Sequence, residues 1–193
     1  MEVIMPNSGK FLSPEAVVDI LDLDIGMSVA DFGCGSGHLV YSLAEQVGPT
    51  GSVYAVDIDE EMVSSARNYV ASKGLDNVKY LQADVAGDLL REIPKASLDF
   101  VFLSNVLYVL GDNKKKALYN TADYLKNQGH LIVIEWKQTK TLFGPALKAR
   151  LKEDDAKKIV TNCGFRFIRQ IDAGMYHYGM EFEVIKENFK KNK

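Results

Sequence analysis

Cysteine is scarce in this chain of 193 residues: Cys34 and Cys163 are its only two. Two distant thiols build neither a zinc site nor a disulfide framework. Histidine is nearly as rare, with three in all, and no metal site is expected. Long apolar runs are missing too, and none reaches the ~18 residues that a membrane span needs. The opening Met1-Glu2-Val3-Ile4-Met5-Pro6 has neither a basic stretch nor a long apolar one, so nothing in it signals export. An excess of positive charge is also absent. Lys and Arg number 23 against 26 Asp and Glu, a formal net charge of −3. Proteins that bind by neutralising phosphates carry a basic field, so a nucleic-acid substrate is disfavoured here. Internal repeats and low-complexity segments are lacking as well. What is present, 47% hydrophobic, 25% charged and 10% aromatic residues, is the composition of an ordinary globular protein. A single reduced, cytoplasmic domain over residues 1–193 is the expectation.

Short apolar runs alternate with amphipathic stretches, the pattern of βαβ units on a parallel sheet. Ser13 and Pro14 open a first helix as N-cap and first helical residue, with Ala16, Val17, Ile20 and Leu21 on one face. Strands are expected over 28–32, 52–57, 78–84, 98–103 and 129–136. The fourth is apolar apart from Asp99, as a central strand covered on both faces should be. Helices fall between them. One is expected to end at Gly74, one to be capped by Asp112, and one to be closed by Gly164. The stretches 165–171 and 178–184 follow with no long connection, which suits an antiparallel hairpin at the sheet edge. In the second, Tyr178, Met180, Phe182 and Val184 alternate with Gly179, Glu181 and Glu183. The charged tail from Lys186 is expected to fray. The fold expected is therefore α/β, a doubly wound, seven-stranded and mostly parallel sheet with an antiparallel C-terminal hairpin.

The strongest local feature is Asp31-Phe32-Gly33-Cys34-Gly35-Ser36-Gly37-His38, a strand-loop-helix with three glycines. Glycines let a backbone turn sharply and approach a ligand, while a helix start offers unpaired N–H groups. About 20 residues on, Asp57 ends the second strand, where an acid can bridge the two hydroxyls of a ribose. Together they indicate a nucleoside cofactor. The spacing G-x-G-x-G is not the G-x-G-x-x-G of dinucleotide sites, because His38 stands where the third glycine would be. Asp31 is moreover an awkward neighbour for a pyrophosphate and suits a cofactor with a cationic amino-acid end. A nicotinamide oxidoreductase is disfavoured on both grounds.

These residues resemble the class I S-adenosylmethionine-dependent methyltransferases, over about 29–136 and in the final hairpin. The segment with Asp31, Gly33, Cys34, Gly35 and Gly37 is similar to their first motif, which holds the methionine part of the cofactor. Val56-Asp57-Ile58-Asp59 is similar to their ribose motif, with Asp57 as ligand and Ile58 beside it. Gln82-Ala83-Asp84-Val85 resembles the adenine motif, in which the acid takes the exocyclic amine and the next backbone N–H faces the ring. Leu98 to Leu107 resembles the fourth-strand motif beside the transferred methyl group, which adds Ser104 to the cofactor contacts. Residues 125–135 resemble the fifth-strand motif, with its Lys-Pro-Gly-Gly turn altered to Lys126-Asn127-Gln128-Gly129. The branch the chain most resembles is the small-molecule type that includes the ubiquinone and menaquinone biosynthesis methyltransferases. The region before the first motif is short and lacks that group's own signature, so its substrate does not carry over.

The resemblance implies S-adenosylmethionine as cofactor and an in-line displacement, for which a protein mainly supplies proximity and alignment. No residue announces itself as catalytic. Ser104 and Asn105 end the fourth strand and either line the acceptor pocket or cap the strand. Glu135 and Trp136 end the fifth, and either hold a cationic or phenolic acceptor or only rim the sheet. His38 is a candidate for contact with acceptor or methionine, as the usual near-neutral base. His130 reads as the start of a strand, His177 as an edge-strand residue, and Cys34 as a small packing residue. Segments 7–12 and 137–150, with residues 1–27 as an N-terminal segment and helix, are candidates for a lid. A small-molecule acceptor fits the charge best. Alternatives are a protein or RNA acceptor on the same fold and, behind these, a non-catalytic cofactor-binding subunit. The fourth strand does not run into the Asn-Pro-Pro-aromatic motif of base amino-group methylation.

Overall fold

The computed structural model describes residues 13–190 apart from Leu89. The expected segment 7–12 and the last residues of the tail lie outside the described residues. Strands β1 (Ser28–Phe32), β2 (Ser52–Asp57), β3 (Val78–Gln82), β4 (Leu98–Ser104), β5 (Leu125–Trp136), β6 (Phe165–Ile171) and β7 (His177–Val184) form one sheet in the order β3-β2-β1-β4-β5-β7-β6. The pairs among β1 to β5 are parallel, while β7 runs antiparallel to both β5 and β6. The doubly wound sheet with its antiparallel end is thus the fold read from the pattern.

Alternation along each strand divides the core in two. Val29 of β1 packs with helices α1 (Pro14–Asp19), α2 (His38–Val47) and α3 (Glu60–Ala71) on one face. Ala30 and Phe32 pack toward α4 (Lys114–Tyr124), α5 (Glu153–Asn162) and α6 (Lys186–Lys190) on the other. Ser13 caps α1 as expected, its side chain accepting from the Ala16 N–H. The strand order reverses between β1 and β4, so a crevice opens at the carboxyl ends of these two strands.

Several local expectations are corrected. The hairpin does lie at the sheet edge, but β6 is the outermost strand and β7 is internal, with all eight of its residues buried. His177 is therefore not an edge-strand residue. Buried acids on β7 are tolerated because each has a cationic partner. Glu181 meets Arg169 Nε at 2.6 Å and His130 Nδ1 at 2.7 Å, and Glu183 pairs with Arg166. His130, first of all, holds the Glu181 carboxyl below its usual range. That histidine sits well inside β5, stacked on Phe100, and does not begin the strand.

Asp112 does not cap α4. It belongs to a short 3-10 turn, Gly111–Asn113, and the helix starts at Lys114 without a side-chain cap. The altered turn 126–129 is absorbed into β5, which begins at Leu125 and bulges against β4. The bulge is tight at its glycine, Gly129, where a Cβ would lie 3.1 Å from the Leu98 carbonyl oxygen. Helix α3 stops at Ala71, and Gly74 (φ +79°) closes the turn after it. The tail forms α6 because Phe189 is buried edge-on against Phe165, with centroids 5.1 Å apart.

Candidate active site

The first wall of the crevice is made by the loop between β1 and α2. The Gly33 and Cys34 N–H groups both donate to the Val56 carbonyl, at 2.7 and 3.0 Å, tying the loop to β2. Asp57 continues the anchoring: its Oδ2 accepts from the Gly35 N–H at 2.9 Å and its Oδ1 from the Asp59 N–H at 3.1 Å. The three glycines have three different duties. A Cβ on Gly33 would come within 2.3 Å of Val106 Cγ2, so this residue admits the loop after β4. A Cβ on Gly37 would meet Ala66 Cα at 2.8 Å, so this one lets α2 start against α3. Gly35, at φ +51°, has open space where a Cβ would go and is the one a ligand can approach.

Asp31 is the polar exception on an otherwise apolar strand. It is 2% exposed, and its Oδ1 has no hydrogen-bond partner among the described residues. Burial, and after it the charge of Asp57, pushes its carboxyl up to about 7. Cys34 is buried beside it; burial first, then Asp31 and Asp57, push its thiol far up, which leaves it unreactive.

A cavity of about 400 Å³ occupies the crevice. Gly33, Asp57, Ile58, Asp84, Val85, Asn105, Val106 and Val109 are among the residues that line it. Ile58 and Val109 are 66% and 63% exposed, apolar side chains left uncovered on the walls of one cleft. The loop that carries Asp84 is held from two sides. Asp84 Oδ1 accepts from the Ala86 N–H at 2.8 Å, and Asn120 Nδ2 donates to the Val85 and Gly87 carbonyls at 3.0 and 3.1 Å. Asn120 was not legible in the sequence, because a lone asparagine within a helix carries no signal of a distant loop.

The second wall comes from the segment after β4, which the ends of β5 and β7 support from behind. Ser104 is half-buried and paired with Ile134, at the strand end but not on the cavity lining. Asn105 does line the cavity, in the left-handed region at φ +59°. Its backbone N–H donates to the Ile134 carbonyl at 2.8 Å, and its Nδ2 lies 3.3 Å from His177 Nε2. Glu135 is not a rim residue. It is fully buried, its Oε1 accepting from the Tyr108 N–H at 3.1 Å. Burial pushes its carboxyl up to about 7 against the N–H groups of Tyr108 and Leu107 and the charge of Lys114. Its place is beneath the loop after β4. His38 is exposed at the start of α2 and meets Tyr69 edge-on at 4.7 Å, away from the cavity lining.

Beyond Trp136 the loop 137–150 folds around one buried cation. Arg150 donates to the carbonyls of Lys137, Thr139, Pro145 and Phe143 and to Thr141 Oγ1, and it lies over the Trp136 ring at 5.1 Å. Phe143 bridges Trp136 and Tyr176, with centroids 6.1 and 5.0 Å away. Trp136, Phe143 and Tyr176 thus form an aromatic cluster past the end of β5, and Trp136 also meets the His177 ring at 4.2 Å. Among the described residues there is no cluster of three or more His, Cys, Asp or Glu that could hold a metal ion.

A methyltransferase domain family matches residues 23–183. The chain belongs to this family, in its class I S-adenosylmethionine-dependent form. It is 29% identical to an S-adenosylmethionine-dependent methyltransferase of Aquifex aeolicus of known structure, with 94% of each chain covered and a TM-score of 0.84. It is 32% identical over 124 residues to the aklanonic acid methyltransferase of Streptomyces sp. (strain C5), covering 63% of this chain and 54% of that one. It is also 32% identical over 133 residues to the ubiquinone/menaquinone biosynthesis C-methyltransferase of Escherichia coli O1:K1, covering 68% and 51%. The chain thus spans about half the length of these two curated relatives.

Proposed function

We propose that the protein transfers the methyl group of S-adenosylmethionine to a small-molecule acceptor, with residues 1–193 as one domain. The observation that carries this reading is the buried Asp31 carboxyl group at the head of the glycine loop, whose Oδ1 has no partner among the described residues, with Asp57 one strand away. An isolated buried carboxylate is costly, and a cationic amino-acid end offsets that cost. The other residues fit the same cofactor. Each oxygen of Asp57 already holds one backbone N–H and keeps lone pairs for ribose hydroxyls. Ile58 and Val109 offer apolar faces to a purine, Asp84 and the Val85 N–H its polar edge, and Gly35 room for close approach of the backbone. Cys34 and Gly37 shape the loop, and Ser104 supports the strand end next to the cleft. The bound cofactor would supply an electrophilic sulfonium methyl, so the chain's own task is to hold, align and exclude water.

A small acceptor is favoured by the negative net charge and by relatives named for aklanonic acid and for quinone biosynthesis. No helix of the described residues is long and apolar enough to cross a membrane. Calorimetric titration tests the cofactor: S-adenosylhomocysteine should bind in the micromolar range and NAD should not. The opposite pattern would sink the reading. Labelled-methyl transfer to a metabolite extract, and to total RNA and protein fractions, tests the acceptor. Saturable labelling of RNA alone, weakening steeply with salt, would replace the small-molecule assignment.

A further inference from the structure

His177 is a buried histidine whose ring is almost wholly removed from solvent. It sits at the start of β7, opposite Trp136, far in sequence from the glycine loop. Among the described residues its side-chain partner on the cleft is Asn105. A carboxamide nitrogen only donates, so with Asn105 Nδ2 at 3.3 Å the bond forms in the tautomer that leaves Nε2 bare and carries its hydrogen on Nδ1, a buried atom with no partner among the described residues. In that tautomer the ring is neutral. Burial, followed by the nearby charges of Arg150 and Lys137, pushes its pKa down to about 4, which keeps it so. With Nδ2 committed to His177, Asn105 is left with Oδ1, a buried oxygen that has no partner among the described residues, on a residue that lines the cleft. The Asn105 backbone cannot relieve this, since its N–H is bound to Ile134 and its φ is already left-handed.

We infer that His177 is a positioning residue of the transfer site. Through Nε2 it fixes the Asn105 carboxamide so that Oδ1 accepts a hydrogen bond from the acceptor's nucleophilic O–H or N–H. The inference rests on the methyl-transfer reading and narrows its acceptor to hydroxyls and amines. An amide oxygen in this role takes no proton. It aligns the nucleophile's lone pair with the methyl carbon; the new O–C or N–C bond forms as the S–C bond breaks, and the acceptor's proton leaves to water. A neutral imidazole suits the purpose better than a charged one, because an imidazolium would donate from Nε2 and turn the amide round.

Two measurements on the full chain test this. In long-range proton–nitrogen spectra with S-adenosylhomocysteine bound, His177 should show Nδ1 protonated and Nε2 bare. An Nε2–H tautomer would overturn the inference. Labelled-methyl transfer from S-adenosylmethionine to catechol, phenol, aniline and a thiophenol gives the second readout. O–H or N–H probes should be methylated, and His177→Phe should lower kcat on the order of 10²-fold with S-adenosylhomocysteine binding unchanged. His177→Gln, whose amide oxygen can take the same Nδ2–H, should restore most of the rate and guards against a folding defect. Asn105→Ala combined with His177→Phe should be no worse than Asn105→Ala alone, since one acts through the other. Multiplying losses, a wild-type rate for His177→Phe, or transfer to the thiol alone would each refute it; if no probe is methylated, the tautomer decides. A wild-type chain that fails to bind S-adenosylhomocysteine would instead sink the methyl-transfer reading itself.

Discussion

The two walls of the cleft are built in opposite ways. The β1–β3 side is made of backbone: glycines, N–H groups and two strand-end carboxylates, with the Gly33–Val56 and Gly35–Asp57 bonds reaching only to the next strand. The β4–β5–β7 side is made of side chains that meet across long sequence separations, Asn105 with His177 and Tyr108 with Glu135. A backbone cradle tolerates few substitutions, and its distant side-chain support is Asn120, under the Asp84 loop. A side-chain wall depends on distant residues and is the part that can be reshaped for different acceptors.

The sharpest way to break the first wall is Gly37→Ala. A left-handed φ and a Cβ 2.8 Å from the α3 backbone should together cost about 3 kcal/mol of stability, read as a lowered urea midpoint. Wild-type stability would mean that α2 and α3 can part without loss. Next in size, Asp57→Ala should weaken S-adenosylhomocysteine binding by about 1.5–3 kcal/mol in calorimetry, through lost hydrogen bonds to a charged group. Binding equal to wild type would remove the ribose assignment.

The third prediction concerns pH. Asp31 titrates near 7 in the folded chain, raised from 3.8, so its ionisation opposes folding: the stability it allows is present below 3.8 and is lost as pH rises through about 7. A cationic ligand reverses the preference. Below pH 7 binding must first ionise Asp31, so affinity for S-adenosylhomocysteine should fall by up to about tenfold, or 1.4 kcal/mol, per pH unit. Asp31→Asn should flatten that slope, and an equally steep slope in the variant would point to another group. The smallest effect is expected on the second wall. Arg150→Met frees carbonyls that water can reach in a largely exposed loop, so global stability should drop by only about 1 kcal/mol. Hydrogen exchange should rise within 137–150, with cofactor binding unaltered. A loss of S-adenosylhomocysteine affinity instead would show that this loop serves the first wall.

Legibility in the sequence follows the same division. Asp31, the glycines, Asp57 and Asp84 stand in short segments, each at the end of an apolar run, and their shared edge follows from strand polarity. On the other wall the ends of β4 and β5 were legible as positions, but not what the side chains do there. Glu135 looked like a ligand at a rim, and in the structure it is buried under the 105–110 loop. His177 looked peripheral because a hairpin was expected at the edge, and nothing in 165–184 says which of its strands faces outward.

The sequence by itself determined the order of the elements, the parallel sheet and the glycine-acid frame, because periodicity, capping and turn chemistry are local. Only the tertiary structure decided that β7 is inserted between β5 and β6, which buries His177, Glu181 and Glu183. It alone showed that Asn120 and Arg150 hold loops in place. Strand insertion and side-chain pairing depend on which surfaces meet after collapse, and no spacing along the chain encodes that meeting.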